Sequence, residues 1–343
     1  MCKYPAFYSY TYSPESDSKQ TLSFLPYDEN QYISAMGRYA VIDLGTNTCN
    51  LLIANILPDG SFKTVYDRKL PVKLGLGGIH KEILLPEAVE RGINALKRHA
   101  ETIRQYDVSK VKVVGTSALR GAINRGELLT RVKQLLDWDI EIIDGELEAE
   151  LIFRGVRLTL PDRIGKYLIL DIGGGSIEFI LADNNDIIWK KSTNIGIARA
   201  IETMQMSDPV TPSEILAFEL WFDQHLLELW RISERYQPQT LVGCSGAFDT
   251  FMDIYEKVEP DLKIRGVSEF PLEAYWQIHD RLINSDYETR SQMQGMDKMR
   301  VEMIVIASVF TNFILQRLPV KKLLHTHNSL KEGVMDRLIS IGL

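Results

Sequence analysis

The sequence predicts an α/β protein of two related domains facing each other across a cleft. Two similar stretches, one in each half of a 343-residue chain, carry this reading. In the second half, Lys166-Tyr-Leu-Ile-Leu-Asp171 is an apolar run ending in an acid. Ile172-Gly-Gly-Gly-Ser176 follows, then Ile177-Glu178-Phe-Ile-Leu-Ala182. In the first half, Arg38-Tyr-Ala-Val-Ile-Asp43 passes through Leu44-Gly45-Thr46-Asn47-Thr48 into Cys49-Asn-Leu-Leu-Ile-Ala54. Both read as strand, acid, tight turn, strand. The length suits two domains of ordinary size.

The glycine-rich turn carries the most chemistry. A plain hairpin needs one or two glycines. Three in a row between an acid and a serine make a backbone that something must approach closely. Successive N–H groups in such a turn form an anion nest. Asp171 and Glu178 beside it offer oxygens to a divalent cation. Phosphate plus metal is the first reading; a glycine-rich hairpin with solvated acids is the alternative.

Composition narrows the classes. The chain is 45% hydrophobic and 25% charged, as soluble globular proteins are. A formal charge of −7 argues against a general nucleic-acid binder. A polyanionic substrate must then be met by a local basic patch or a metal. Cys2, Cys49 and Cys244 give no disulfide framework and no zinc pattern, so a reducing cytoplasm is expected. No apolar run approaches the roughly 18 residues that span a membrane. Residues 1–35 are rich in Tyr and Ser and lack periodicity. They are expected to be a mobile tail, or an extension upstream of a start at Met36, and not a secretory signal.

Taken in order, Pro58-Asp59-Gly60 turns the chain into a third strand. Leu74-Gly-Leu-Gly-Gly78 lacks the strand–turn–helix context of a dinucleotide fingerprint and reads as a loop. Residues 86–106 form an amphipathic helix, with Pro86 in its first turn and Val89, Ile93, Leu96 and Ala100 at helical spacing. Residues 110–115 form a buried strand. Arg120 follows at its carboxyl end, where ligands sit in α/β sheets, as a phosphate-binding candidate or a solvated arginine.

Residues 139–143 form a short strand and Asp144-Gly145 opens the next helix. On that helix Glu146, Glu150 and Arg154 share a polar face. Glu148 instead falls beside Leu151 and Ile152 on the apolar side, where desolvation favours a general base and the helix N-terminus opposes it. A third strand is expected at 186–190, and a helix carrying Arg199 after Gly196. Thr211-Pro212-Ser213-Glu214 starts a single helix running to about residue 236, with Leu216, Phe218, Leu220, Trp221, Leu227 and Trp230 as a core stripe. Thr240-Leu-Val-Gly243-Cys-Ser245-Gly246-Ala-Phe248 is strand, turn and helix: an anion site at a helix N-terminus or a plain connector. A buried helix is expected over 298–315 and a last strand over 321–324. His325 and His327 follow, with no cysteine or acid apparent to complete a metal site. Asn328 or Ser329 caps the final helix.

Together these residues resemble the exopolyphosphatase and guanosine pentaphosphate phosphohydrolase family, within the actin–hexokinase–heat-shock ATPase superfamily. The resemblance runs from Tyr39 to the C-terminus. It rests on Asp43-Leu-Gly-Thr-Asn-Thr48, Gly115 to Arg120, Gly145-Glu-Leu-Glu-Ala149, Asp171-Ile-Gly-Gly-Gly-Ser-Ile-Glu178 and Leu330-Lys-Glu-Gly333. It implies an actin-like fold with a phosphate-binding cleft between two domains, 37–160 and 161–343. It also implies Mg²⁺-assisted removal of terminal phosphate from polyphosphate or a guanosine polyphosphate. Glu148 would be the base for the attacking water, with Glu178 assisting. Asp43, Asp171 and Glu178 would hold the metal. Gly45, Thr46, Asn47, Thr48, Arg120, Gly173, Gly174, Gly175, Ser176, Ser245 and Gly246 would hold phosphates. No nucleic-acid or membrane partner is implied, and a homodimer is left open.

The sequence departs from the family pattern at Leu147 and Ile177, where Glu and Thr are usual. It also departs at Gly243-Cys-Ser-Gly-Ala247, at Ile306-Ala307 in place of Pro-Gly after the acid Glu302, and at Lys331 for Arg. The further helical domains of long members have no counterpart in this sequence, so processive action on long chains is not expected. A kinase of the same superfamily and a non-catalytic nucleotide sensor are the competing readings. Removal of residues 1–35 is expected to leave both melting temperature and activity unchanged.

Overall fold

A computed structural model of the protein describes residues 36–184, 186–260 and 266–342. Residues 1–35, expected to form a tail, lie outside the described residues. The described residues form two mixed sheets. The first comprises β1 (Gly37–Leu44), β2 (Thr48–Ile56), β3 (Phe62–Pro71), β4 (Lys110–Gly115) and β5 (Ile140–Ile142), in the order β3-β2-β1-β4-β5. The second comprises β6 (Lys166–Ile172), β7 (Ile177–Asp183), β8 (Asp186–Thr193), β9 (Thr240–Cys244), β10 (Val267–Glu269) and β11 (Lys322–Thr326), in the order β10-β11-β9-β6-β7-β8.

The internal repeat is visible in the pairing. In each sheet the first three strands are an antiparallel meander, and the fourth pairs parallel with the first: β1 with β4, β6 with β9. Asp43 pairs with Asn50 across β1–β2, and Asp171 with Glu178 across β6–β7. Even the irregularities correspond. The register shifts after Ile53 in the first meander and after Leu181 in the second, each three residues beyond Asn50 or Glu178.

Side-chain alternation then sets which way the acids face. In β1, Ala40, Ile42 and Leu44 pack outward with α1 (Pro86–Gln105) and α3 (Arg125–Leu136), a helix that pattern reasoning did not pick out. Val41 points the other way. Asp43 shares the parity of Val41. In β6, Leu168, Leu170 and Ile172 face one core, while Tyr167 and Ile169 face the core that also holds Val41. Asp171 shares the parity of Tyr167 and Ile169. The carboxylates therefore stand on the two inner faces.

The inner core is completed by α4 (Gly145–Arg157) and α12 (Leu330–Gly342), through Ala149, Leu151, Ile152, Val156, Leu330, Val334 and Met335. These helices touch backbone to backbone. A Cβ on Gly155 would stand 1.9 Å from the Ser329 carbonyl oxygen, and one on Gly333 1.7 Å from that of Leu151. Glycine inside a helix ordinarily costs about 1 kcal/mol relative to alanine. Here it is what allows the crossing.

The remaining helices pack around the second sheet, with two differences from expectation. The helix expected over 211–236 is two, α6 (Pro212–His225) and α7 (Leu227–Tyr236), broken at Leu226. Its core stripe is Phe218, Phe222, Leu226 and Leu229, whereas Leu216, Leu220 and Leu227 are exposed. Phe222 packs edge-on against Phe310 at 4.6 Å, and that contact sets the buried face. Leu216 and Leu220 each lie two residues from Phe218, about 200° around the helix. Trp221 and Trp230 are half-buried. The Thr211–Glu214 capping box is present. The apolar helix α11 runs over Ile304–Arg317, and residues 298–303 before it are turns. No helix among the described residues is long and apolar enough to cross a membrane.

Gly333→Ala should destabilise the protein by about 1–3 kcal/mol or more, as overpacking does. Gly126→Ala, where a Cβ meets nothing within 4 Å, should be neutral or slightly stabilising. Denaturant unfolding of the two variants checks the contrast; equal midpoints would remove the helix crossing from the account.

Candidate active site

The strand ends, the two loops and the first turn of α4 enclose one cavity of about 250 Å³. Asp43, Glu148, Asp171 and Glu178 all line it. So do Gly45, Thr46, Asn47, Thr48, Gly173, Gly174, Gly175, Ser176, Ser245 and Gly246. Of the catalytic, metal and phosphate residues that the resemblance implies, Arg120 alone is absent from the wall. It lies on the short helix α2 (Ser117–Gly121), and its Nη1 donates to Glu148 Oε2 at 2.7 Å and to the Ile143 carbonyl at 3.0 Å. The arginine read as a phosphate ligand is thus engaged with the acid read as the base.

The glycines are required because the two loops press on each other. A Cβ on Gly174 would stand 2.1 Å from Asn47 Nδ2, and one on Gly175 2.6 Å from both Ser117 Oγ and Thr46 Oγ1. Any side chain there would separate the loops. Gly173–Gly175 do not need positive φ; close approach alone accounts for them. Arg199, on α5 (Ile197–Thr203), ties the turn down by donating to the Gly175 carbonyl at 2.9 Å and to that of Ile79 at 3.1 Å.

Glu148, Asp171 and Glu178 are buried and Asp43 is half-buried, and desolvation dominates their titration. It pushes the Asp43 carboxyl up to about 6, with the Asn50 hydrogen bond opposing. Asp171 is also pushed up to about 6, although Ser329 Oγ donates to its Oδ2 at 2.5 Å. Glu148 rises to about 7, against the pull of the Arg120 charge and hydrogen bond. Glu178 rises well above the carboxylate range, through burial and then the charges of Glu148 and Asp171, despite Ser192 Oγ donating to it at 2.7 Å.

Three buried polar atoms around the cavity have no hydrogen-bond partner among the described residues: Asp43 Oδ1, Ser117 Oγ and Arg300 Nε. A crowd of buried carboxylate oxygens, one of them orphaned, fits a hard oxygen-seeking dication such as Mg²⁺. An orphaned guanidinium N–H and hydroxyl fit an anion.

Pattern reasoning missed the cationic wall. Arg68, Lys69, Arg300 and Lys331 line the cavity. They are the local basic patch that an acidic protein needs for a polyanion. Lys331 Nζ lies 2.8 Å from Glu332 and 3.4 Å from Asp67. Glu332 Oε2 in turn accepts the Ser329 N–H at 2.9 Å at the start of α12. The Leu330–Gly333 motif held the signal for Lys331; Arg300 lies in a turn with none. Gly246 leaves room for Arg300, whose Nη2 would be 1.7 Å from a Cβ there. Glu302 faces outward, paired with Lys73 at 3.0 Å.

The histidine reading is also corrected. Asp249, on α8 (Ser245–Glu256), brings a carboxylate to both His325 and His327. The acid is 76 residues from His325 in sequence, and β9 and β11 pair side by side to close that gap.

Comparisons with known proteins show the family and the fold. The sequence pattern of the Ppx/GppA phosphatase family matches residues 52–340. The solved structure of an exopolyphosphatase from Cytophaga hutchinsonii is 35% identical, covers 88% of this chain and 98% of its own, and superposes with a TM-score of 0.83. A Ppx/GppA family member from Aquifex aeolicus is 26% identical, covers 89% of this chain and 98% of its own, and gives a TM-score of 0.72. Exopolyphosphatase 2 of Mycobacterium tuberculosis is 27% identical over 88% of this chain and 98% of its own length. A guanosine-5'-triphosphate,3'-diphosphate pyrophosphatase of Vibrio cholerae is 26% identical over 88% of this chain, but over 59% of its own length. With its two matched sheets, its paired Asp-turn loops and a family pattern covering most of its length, the chain belongs to the Ppx/GppA phosphatase family.

Proposed function

We propose that the protein is a phosphoanhydride hydrolase that releases terminal phosphate from short inorganic polyphosphate, with Glu148 as general base. The observation that carries the reading is a small cavity in which a buried carboxylate of raised pKa faces the two Asp-turn loops and a cationic wall. Among the described residues lining it, none is Phe, Tyr or Trp, so no such ring is offered to stack on a guanine. A guanosine polyphosphate is the second reading, favoured by the Vibrio cholerae relative.

In this mechanism the backbone N–H groups of Thr46–Thr48 and Gly173–Ser176 receive phosphoryl oxygens, while the Gly45 N–H closes the turn on the Thr48 carbonyl at 2.9 Å; Ser245 and Gly246 at the start of α8 are a further contact. Arg300 and Lys331 neutralise the remaining charge. Glu148 accepts the proton of a water as that water attacks the terminal phosphorus in line. The bridging P–O bond breaks and the shortened chain leaves. Asp43, Asp171 and Glu178 are the residues to hold Mg²⁺, which when bound would offset charge on the phosphoryl oxygens. Arg120 is a positioning residue: it fixes the Glu148 carboxylate and keeps its pKa from rising further. Residues 37–160 and 161–343 are the two jaws in this reading. Two cysteines, Cys49 and Cys244, are free and buried, which suits a cytoplasmic setting.

With Mg²⁺ present, tripolyphosphate should release phosphate faster than long polyphosphate or guanosine pentaphosphate. Glu148→Gln should lower that release about 10²–10⁴-fold while substrate binding stays close to wild type. Unchanged turnover in the variant would remove Glu148 from the mechanism. No turnover on any phosphoanhydride would favour a sensor.

The pH profile tests Arg120 separately. Glu148 acts only when ionised, so activity falls as pH drops through its pKa. Arg120 lowers that pKa. Arg120→Ala should therefore move the acidic limb of kcat/KM to higher pH, and Arg120→Lys should partly restore it. A limb that stays in place in Arg120→Ala would show that the ion pair does not tune the base.

A further inference from the structure

We propose that Asp249, His325 and His327 form a second metal site on the wall of the same cavity, suited to a transition-metal dication such as Zn²⁺ or Co²⁺. Asp249 lies in the first turns of α8; His325 is in β11 and His327 just beyond its end. Asp249 Oδ1 is 3.1 Å from His325 Nε2 and 3.0 Å from His327 Nδ1. All three ligand atoms lie within 4.8 Å of one another. Donors about 2.0–2.1 Å from one ion stand about 3 Å apart when they subtend an angle near 95°. Both carboxylate–imidazole pairs thus already have the spacing of neighbouring ligands in a coordination sphere, and the two rings meet edge to face at 4.5 Å, aimed at one oxygen.

Ligand chemistry separates this site from the carboxylates. Asp43, Asp171 and Glu178 offer only oxygen, which suits Mg²⁺. Two imidazoles and one carboxylate prefer borderline transition metals. Accessibility gives the direction in which the site opens. His325 is 1% exposed and closes the rear, whereas Asp249 and His327 line the cavity. Three protein ligands with the remaining positions open to a ligand cavity are the pattern of catalytic rather than structural zinc. Those positions would take water or a phosphoryl oxygen. The nearby cation, Lys331, is engaged with Asp67 and Glu332.

The competing account is a carboxylate accepting two imidazole N–H bonds with no ion. Metal binding on the full chain distinguishes the two whether or not the protein hydrolyses polyphosphate. In excess Mg²⁺, Co²⁺ titration should give one equivalent of visible d–d absorption that Zn²⁺ displaces. His327→Gln keeps an N–H donor for Asp249 but removes the imidazole, and should weaken Co²⁺ binding by more than about 10-fold. On the unmodified chain, bound Cu²⁺ should show electron-spin coupling to two imidazole nitrogens. An all-oxygen Cu²⁺ spectrum, absence of Mg²⁺-resistant Co²⁺ binding, or equal binding by His327→Gln would each overturn the site.

Discussion

Four carboxylates around one cavity, three buried and Asp43 half-buried, are the constraint that the rest of the structure serves. Asp43, Glu148, Asp171 and Glu178 are each no more than modestly solvated, and all four have raised pKa values. Like charges in a low dielectric repel strongly, and removing each from water is costly. Hydrogen bonds from Asn50, Ser192 and Ser329 and the Arg120 ion pair offset only part of this. A fold optimised for stability alone would place apolar residues there. The arrangement persists because the three apolar cores are large enough to carry it. It makes sense chemically when cations and a polyanion complete the charge balance.

The repeated topology explains how such a cluster can be built. A strand ending in Asp before a turn places one carboxylate on the inner face of its sheet. Duplicating the unit and facing the copies brings two such acids together. The copies then diverge where it matters: opposite Asp43 the partner strand supplies Asn50, and opposite Asp171 it supplies Glu178. One half pairs acid with amide and the other acid with acid; Glu148 on α4 gives the first half its second carboxylate, so each half brings two of the four to the cavity. The loops do not merely lie near each other. Gly174 and Gly175 admit Asn47, Thr46 and Ser117 to a distance that any side chain would prevent.

Much of this was legible in the sequence because its signals are local. Apolar runs ending in Asp-x-Gly mark the two loops, and Glu148 stands out as a carboxylate beside Leu151 and Ile152. What was not legible depends on long-range packing. The exposure of Leu216 and Leu220 follows from Phe222 docking on Phe310, which no local periodicity reveals. Asp249 joins His325 and His327 only because β9 and β11 are neighbours. Arg120 stands at a strand end as expected, but its ion pair with Glu148 is not legible, since sequence gives position along an element and not the direction of a long side chain. The glycines of the Gly145 and Gly333 motifs matched a pattern without a reason; packing supplies it.

Gly145 shows how the halves are coupled at the chemistry itself. It opens α4 one turn before Glu148, and a Cβ there would stand 2.5 Å from the Ser192 Cβ on β8. Ser192 Oγ holds Glu178 at 2.7 Å. The backbone that carries one acid therefore rests on the side chain that positions another. Arg120 Nη2 would be 3.9 Å from the same Cβ, and Arg120 grips Glu148 from the opposite side. A shift of α4 against the second sheet changes the setting of Glu148 and Glu178 together. Two carboxylates whose pKa values depend on each other's charge cannot be tuned one at a time, and a shared contact at a glycine makes their geometry as interdependent as their titration.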